Sequence, residues 1–238
     1  MIRKPVIRHA LASIHAPTAQ ALGLPRTLPE LHEQLASSGI AAVQLDSSNN
    51  VALTFDDGPH PEGTPQILEV LAQHGAKAAF FVVGEQVRKR PELVRRAVAE
   101  GHLIALHADE HRLQSKRTSK QLSTDYERGA AAIEDAIGQP PLLHRPPFGI
   151  YSPVGLRIAR ARGLQPLLWA DWGRDWRKYT TPERIAARVT RNLAPGDVVL
   201  LHDADFYSAK RSHERTAVAL KLILNKLDAG RVGTVLPV

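Results

Sequence analysis

No cysteine occurs anywhere in this chain of 238 residues. Thiolate metal sites and cysteine nucleophiles are therefore excluded. Any metal centre has to be built from His, Asp and Glu, a donor set that suits zinc or a similar divalent ion. Aromatic residues are scarce, at 5%. No basic stripe interleaves with them, so a nucleic-acid partner is not expected. No apolar run reaches about 18 residues, the length a membrane-spanning helix needs. The basic start Met1-Ile2-Arg3-Lys4 is followed by Arg8, His9 and His15 rather than by a continuous apolar stretch. That is not a secretory signal. The expected location is cytoplasmic, unless the sequence is a truncated piece without its leader.

An apolar content of 43% is enough for a full core, and the length fits one α/β domain. The formal charge of +7 comes from scattered Arg and Lys. It reads as a basic solvated surface, with a hint of an anionic substrate. Residues 1–27 carry little pattern and form a predicted N-terminal extension to a domain at 28–238.

From there, β-like runs alternate with helical segments. The predicted strands are Ile40–Leu45, Val51–Phe55, Ala78–Val83, Leu103–His107, Leu142–Arg145, Gln165–Ala170, Asp197–His202 and Thr234–Pro237. Thr64-Pro65, Pro91, Ser152-Pro153 and Thr181-Pro182 open helices; Gly75, Gly101 and Gly163 end the first three, and the fourth stops near Leu193. A hydroxyl cap, Pro at the first helical position and Gly past the end is the asymmetry expected of helices. Two longer helices are predicted at Ser119–Ile137 and Glu214–Ala229. Repeated strand–helix units imply parallel strands, and seven or eight of them close more naturally into a barrel than into an open sheet. The fold class is α/β, a distorted (β/α) barrel whose chemistry gathers where strands end.

Four predicted strand ends carry charged or titratable groups: Asp56-Asp57, His107, Arg145 and His202. Adjacent carboxylates after the apolar run Val51–Phe55 would be costly to bury without compensation, and a divalent cation supplies it. One carboxylate could then bind metal while the other serves as a base. His107 and His111 stand four apart, which on a helical turn puts both rings on one face. With Asp57 they make a set of two imidazoles and one carboxylate that leaves a coordination position open, as a catalytic site requires. Asp109 and Glu110 lie between them and are read as facing away, though either could be a further ligand. A divalent ion there would acidify a water and polarise a carbonyl. Asp56 is the nearest candidate base and His202 a candidate acid. Asp175 could bond the His202 ring and hold it protonated, and Arg145 could bond Asp56.

These residues sit in five segments: Thr54-Phe55-Asp56-Asp57-Gly58-Pro59, the pair His107 and His111, Arg145-Pro146-Pro147-Phe148-Gly149, Asp175-Trp176 and Leu200-Leu201-His202. In that order they resemble the five motifs of the polysaccharide deacetylase family (the NodB-homology domain, carbohydrate esterase family 4). The resemblance covers roughly residues 51–203. It implies a NodB-like barrel and metal-dependent removal of acetyl from an N-acetylated amino sugar. It implies Asp56 as general base, Asp57, His107 and His111 as ligands of one divalent ion, most often Zn2+ with Co2+, Ni2+ or Mn2+ possible, and His202 as general acid tuned by Asp175. It further implies Arg145 as partner of Asp56, the Phe148 N–H as an oxyanion donor, and Trp176 and Leu200 as walls of the acetyl pocket.

The chain departs from the family pattern in three places. Ala108 stands where Ser or Thr is frequent, Arg112 where Pro is frequent, and Trp172 where an earlier Asp is usual, with Asp171 one position off. Two other readings stay open: hydrolysis of a small non-sugar amide or cyclic imide, and a non-catalytic carbohydrate-binding protein.

Overall fold

The computed structural model describes residues 49–237. The predicted extension at 1–27 and the predicted strand Ile40–Leu45 lie outside the described residues.

Eight parallel strands form one sheet: β1 Asn50–Asp56, β2 Ala78–Val83, β3 Leu103–Ala108, β4 Leu143–His144, β5 Gln165–Pro166, β6 Asp171–Trp172, β7 Val198–His202 and β8 Gly233–Thr234. The hydrogen-bonded order is β5-β4-β3-β2-β1-β7-β6, with β8 pairing the start of β1. The helices are α1 Gly63–Gln73, α2 Gly84–Lys89, α3 Pro91–Ala99, α4 Ser119–Ile137, α5 Pro153–Ala161, α6 Pro182–Thr190 and α7 Ser212–Ala229.

Side chains alternate across each strand, and the alternation separates two cores. Outward-facing Val51, Leu53 and Phe55 of β1, Phe80 and Val82 of β2, and Val199 and Leu201 of β7 pack with helix residues such as Ile67, Leu71, Ile185 and Leu220. Each such fully buried side chain contributes on the order of 1.5–3 kcal/mol. The inner face carries a second, smaller cluster that includes Ala52, Ala79, Phe81, Ala105 and Leu200. Continuing the same inner rows by two residues leads from Ala52 through Thr54 to Asp56, from Ala105 to His107, and from Leu200 to His202. The polar residues are therefore the inward-facing top layer of the sheet, above a floor of apolar side chains.

Several helix ends follow the sequence rules. Thr118 Oγ1 accepts from the Gln121 N–H in a capping box, the Ser152 hydroxyl accepts from the Gly155 N–H, and Thr181 Oγ1 accepts from the Arg184 N–H. Thr64 departs from its expected role as a cap, and α1 begins at Gly63, two residues before Pro65. Its hydroxyl is buried, donating to Asp203 Oδ2 at 2.5 Å and accepting the His60 N–H at 2.7 Å.

The predicted strand Gln165–Ala170 is not continuous. Only β5 forms within it, an irregular stretch follows, and β6 begins just beyond it at Asp171. The reason is chemical: the Leu167 and Leu168 carbonyls accept hydrogen bonds from Arg145 Nε and Nη2, at 3.0 and 3.1 Å, rather than from a neighbouring strand. Strands β5 and β6 do not pair, so the barrel stays open at the point where the Arg145 guanidinium sits.

Candidate active site

The top layer brings Asp56, Asp57, His107, His111, Arg145, Asp175 and His202 together. Three backbone positions in unfavourable left-handed or related regions shape it: Asp57 at φ 81°, Ala108 at φ 145° and Phe148 at φ 63°. Strain of about 1–3 kcal/mol at each such residue persists only where surrounding contacts enforce it, and such residues gather at functional sites. Gly149 is required for space beside Phe148, because a Cβ there would meet the Trp169 ring at 2.3 Å.

His107 and His111 do converge, but not along a helical turn as expected. His107 lies within β3 and His111 in the following loop. The register between β2 and β3 shifts so that Val82 pairs with Leu106 and Val83 with Ala108. His107 is the extra residue of that bulge, a device that re-aims a side chain. The turn at Ala108 then brings His111 back. Asp57 Oδ1 lies 3.5 Å from His107 Nε2 and 3.3 Å from His111 Nε2. Four-coordinate zinc with ligands at about 2.0–2.1 Å places neighbouring donors about 3.3–3.4 Å apart, so these separations fit one ion. His107 Nδ1 is 2.9 Å from the Arg145 carbonyl, which fixes the ring proton there and leaves the Nε2 lone pair facing Asp57. Burial lowers the His111 pKa to about 4, so its ring is neutral and ready to ligate. Burial disfavours the Asp57 charge, but the histidines that face it outweigh burial and hold its pKa at about 2. The donor set fits a divalent cation.

Asp109 and Glu110 turn away, as expected. Asp109 pairs with Arg88 at 2.6 Å and Arg128 at 3.2 Å, and Glu110 with Arg112 at 3.0 Å. A Cβ at Gly84 would meet Asp109 Oδ1 at 2.5 Å and Gly129 Cα at 2.8 Å, so two glycines make room for this segment between α2 and α4.

Among the described residues, His60, Asp205 and His213 also lie close enough to share an ion. His60 Nδ1, however, accepts the Gly63 N–H at 2.9 Å, which puts the ring proton on Nε2, pointing at Asp205 Oδ1 at 3.3 Å. That is a donor–acceptor contact, with no lone pair left for a metal.

Asp56 has two differently placed oxygens. Oδ1 accepts from Arg145 Nη1 at 2.7 Å, while Oδ2 is 3.9 Å from His107 Nε2, facing the cup. Arg145 is fully buried. It also donates to Thr54 Oγ1 at 2.9 Å and lies over the Phe81 ring at 3.9 Å. Opposite, Asp175 Oδ1 is 3.0 Å from His202 Nδ1, and its Oδ2 accepts the His202 backbone N–H at 2.7 Å. Burial works against charge on His202, but Asp175 and then Asp57 and Asp56 outweigh it and raise its pKa to about 10. A cation in the cup would offset the two carboxylates of the opening pair and bring that value back down. Trp176 presents its ring edge-on to His202 at 5.3 Å, and Leu200 lies two residues before His202 on the same strand face. Trp172, at the departed family position, sits between Trp169 and Trp176 in a row of indoles, with centroids 5.9 and 5.1 Å away.

Three residues that sequence reasoning missed, Tyr207, Glu85 and Thr216, belong to this site. Tyr207 stacks on the His111 ring at 4.1 Å and 9°, and its hydroxyl donates to Glu85 at 2.6 Å. Phe148 meets His111 edge-on at 4.6 Å. Thr216, buried on α7, donates to Asp175 Oδ2 at 2.8 Å. Tyr207 lies only five residues beyond His202, but no spacing rule marks it; Glu85 and Thr216 carry no local signal at all.

The geometry agrees with comparison to known proteins. The sequence profile of polysaccharide deacetylases matches residues 45–167. A peptidoglycan-N-acetylglucosamine deacetylase of Bacillus cereus is 35% identical over 200 residues, covering 83% of this chain and 91% of that protein. A chitooligosaccharide deacetylase of Bradyrhizobium is 39% identical over 160 residues, covering 67% of this chain and 73% of that protein. A solved peptidoglycan N-acetylglucosamine deacetylase, bound to an N-hydroxybenzamide derivative, superposes with a TM-score of 0.79 at 29% identity, over 86% of this chain and 94% of its own. With these matches and this set of strand-end residues, the chain belongs to the polysaccharide deacetylase family of metal-dependent hydrolases.

Proposed function

We propose that this protein hydrolyses the N-acetyl group of an amino sugar within an oligo- or polysaccharide, with one Zn2+ held by Asp57, His107 and His111. The observation that supports it most is the division of labour between adjacent carboxylates. Asp57 Oδ1 faces two imidazole Nε2 atoms, while Asp56 is tied through Oδ1 to Arg145. The ion supplies Lewis-acid polarisation of the amide carbonyl and an acidified water.

The protein's own groups do the rest. Asp56 Oδ2 accepts the proton of the attacking water. The Phe148 N–H donates to the developing oxyanion. His202, bonded through Nδ1 to Asp175, donates from Nε2 to the departing nitrogen. A C–O bond forms, the C–N bond breaks, and acetate and a free amine leave. Trp176 and Leu200 bound the space for the acetyl methyl. Two imidazoles and a carboxylate favour zinc, with Co2+, Ni2+ or Mn2+ as substitutes.

The test is acetate release from N-acetylglucosamine oligomers together with metal analysis. Asp56→Asn is expected to retain metal and lose about 10²–10⁴-fold in rate. His107→Ala is expected to lose metal and activity together. Full activity in metal-free His107→Ala would refute the assignment.

A further inference from the structure

The turn that joins the two histidines of the cup has little local structure to hold it. Ala108 sits at φ 145° and brings no side-chain donor or acceptor. Asp109 and Glu110 belong to no helix or strand. The position of His111 relative to His107 therefore has to be fixed from outside the turn.

Asp109 supplies the anchor. It is only 1% exposed. Its Oδ1 lies 2.6 Å from Arg88 Nη1 on α2, and its Oδ2 lies 3.2 Å from Arg128 Nε on α4. Its carbonyl accepts the Glu85 N–H at 3.1 Å, and the next N–H, of Glu110, donates to Asp125 Oδ1 at 3.1 Å. Helix α4 gives up propensity for this close approach. Gly129 stands in its interior, where a Cβ would lie 3.0 Å from Asp109 N and 2.7 Å from Leu106 Cδ1. Glycine inside a helix is disfavoured relative to alanine. A carboxylate buried between two arginines adds little stability over an apolar side chain of similar volume. It does fix one orientation of the turn. The same α2 supports the His111 ring as well, because Glu85 accepts from the Tyr207 hydroxyl and Tyr207 stacks on that ring.

We propose that Asp109 is a positioning residue for the metal cup: clamped by Arg88 and Arg128, it holds the His107–His111 turn so that both Nε2 atoms face Asp57. This rests on the reading of Asp57, His107 and His111 as ligands of one divalent ion. It goes beyond that reading by assigning part of the zinc affinity to an ion-pair clamp outside the ligand set. The clamp is distinguishable from a through-space effect of charge by sign. Deleting the positive charge of Arg128 strengthens the attraction of the cup for a cation if only the field matters. It weakens zinc binding if Arg128 acts by holding Asp109.

The test is the zinc affinity of the full chain, read by chelator competition without substrate and well below each variant's melting temperature. Asp109→Asn is expected to raise the zinc Kd about tenfold, the scale of losing an outer support of a ligating histidine. Arg128→Gln is expected to raise it about threefold, as one of two clamp partners, and Arg128→Lys to stay close to wild type. The double variant Asp109→Asn/Arg128→Gln binds zinc no more weakly than Asp109→Asn alone, because both changes act through one contact. An unchanged Kd in Asp109→Asn, or tighter zinc binding by Arg128→Gln, overturns the clamp. If Asp109→Asn does not fold, Arg128→Gln decides by its sign, since the Arg128 side chain is 57% exposed and its loss leaves the core intact. Absent acetate release with these zinc affinities counts against the hydrolytic reading alone. A wild-type chain that binds no zinc overturns both.

Discussion

Replacing Arg145 with Met tests the structural argument most severely. The guanidinium is fully buried and serves four acceptors: Asp56 Oδ1, Thr54 Oγ1 and the Leu167 and Leu168 carbonyls. Met fills similar space and keeps apolar contact with Phe81, so packing is largely retained. Two costs remain. Breaking a buried ion pair by removing one partner costs about 3–5 kcal/mol. Each carbonyl left without a donor adds about 1–3 kcal/mol. Relaxation and overlap between these effects leave a net loss of about 4–8 kcal/mol, a large share of a typical domain's stability of about 5–15 kcal/mol. At about 2–4 °C per kcal/mol for a domain this size, the melting temperature falls by about 10 °C or more. The assay is thermal unfolding of metal-free protein followed by circular dichroism, with Asp56→Asn and the double variant completing a cycle. Asp56→Asn removes the stranded charge, so the double variant is expected to be more stable than Arg145→Met alone. A melting temperature within about 2 °C of wild type in Arg145→Met, or no rescue in the double variant, refutes the reasoning.

Two further outcomes follow from the site. Asp175 raises the His202 pKa, so the protonated acid persists to higher pH than an ordinary imidazole would allow. A general acid works only below its pKa, and Asp175→Asn should move the alkaline limb of kcat/KM to lower pH; an unmoved limb removes Asp175 from that role. Tyr207→Ala should weaken zinc binding by about tenfold through loss of the stacked support for His111, while Tyr207→Phe, which keeps the stack, should lose far less. Competition calorimetry with a chelator measures both, and equal losses in the two variants contradict the stacking account.

Much of the fold was legible because it rests on local patterns. Apolar runs marked β1, β2, β3 and β7, Pro and Gly marked α1, α3 and α5, and Thr181-Pro182 marked α6. The residues that meet at the top of the sheet were legible for a related reason, since strand ends converge in any parallel barrel. What stayed hidden depends on contacts distant in sequence. The break between β5 and β6 comes from an arginine more than twenty residues upstream taking two carbonyls. The approach of His107 and His111 comes from a bulge and a strained Ala108, which a four-residue spacing cannot distinguish from a helical turn. Short α2 starts directly where β2 ends, at Gly84, with Val83 in the cap position and no hydroxyl cap to mark it. Tyr207 and Thr216 act through tertiary contacts to His111 and Asp175, and neither contact has a sequence period.

The central claim is that one divalent ion is shared by a carboxylate and two imidazoles at the open end of the sheet. Anomalous diffraction at the zinc edge from zinc-loaded crystals tests it directly. The expected map has one strong peak about 2.0–2.2 Å from Asp57 Oδ1, His107 Nε2 and His111 Nε2. A map with no peak among those three atoms, or with its only peak at His60, Asp205 and His213, contradicts the account.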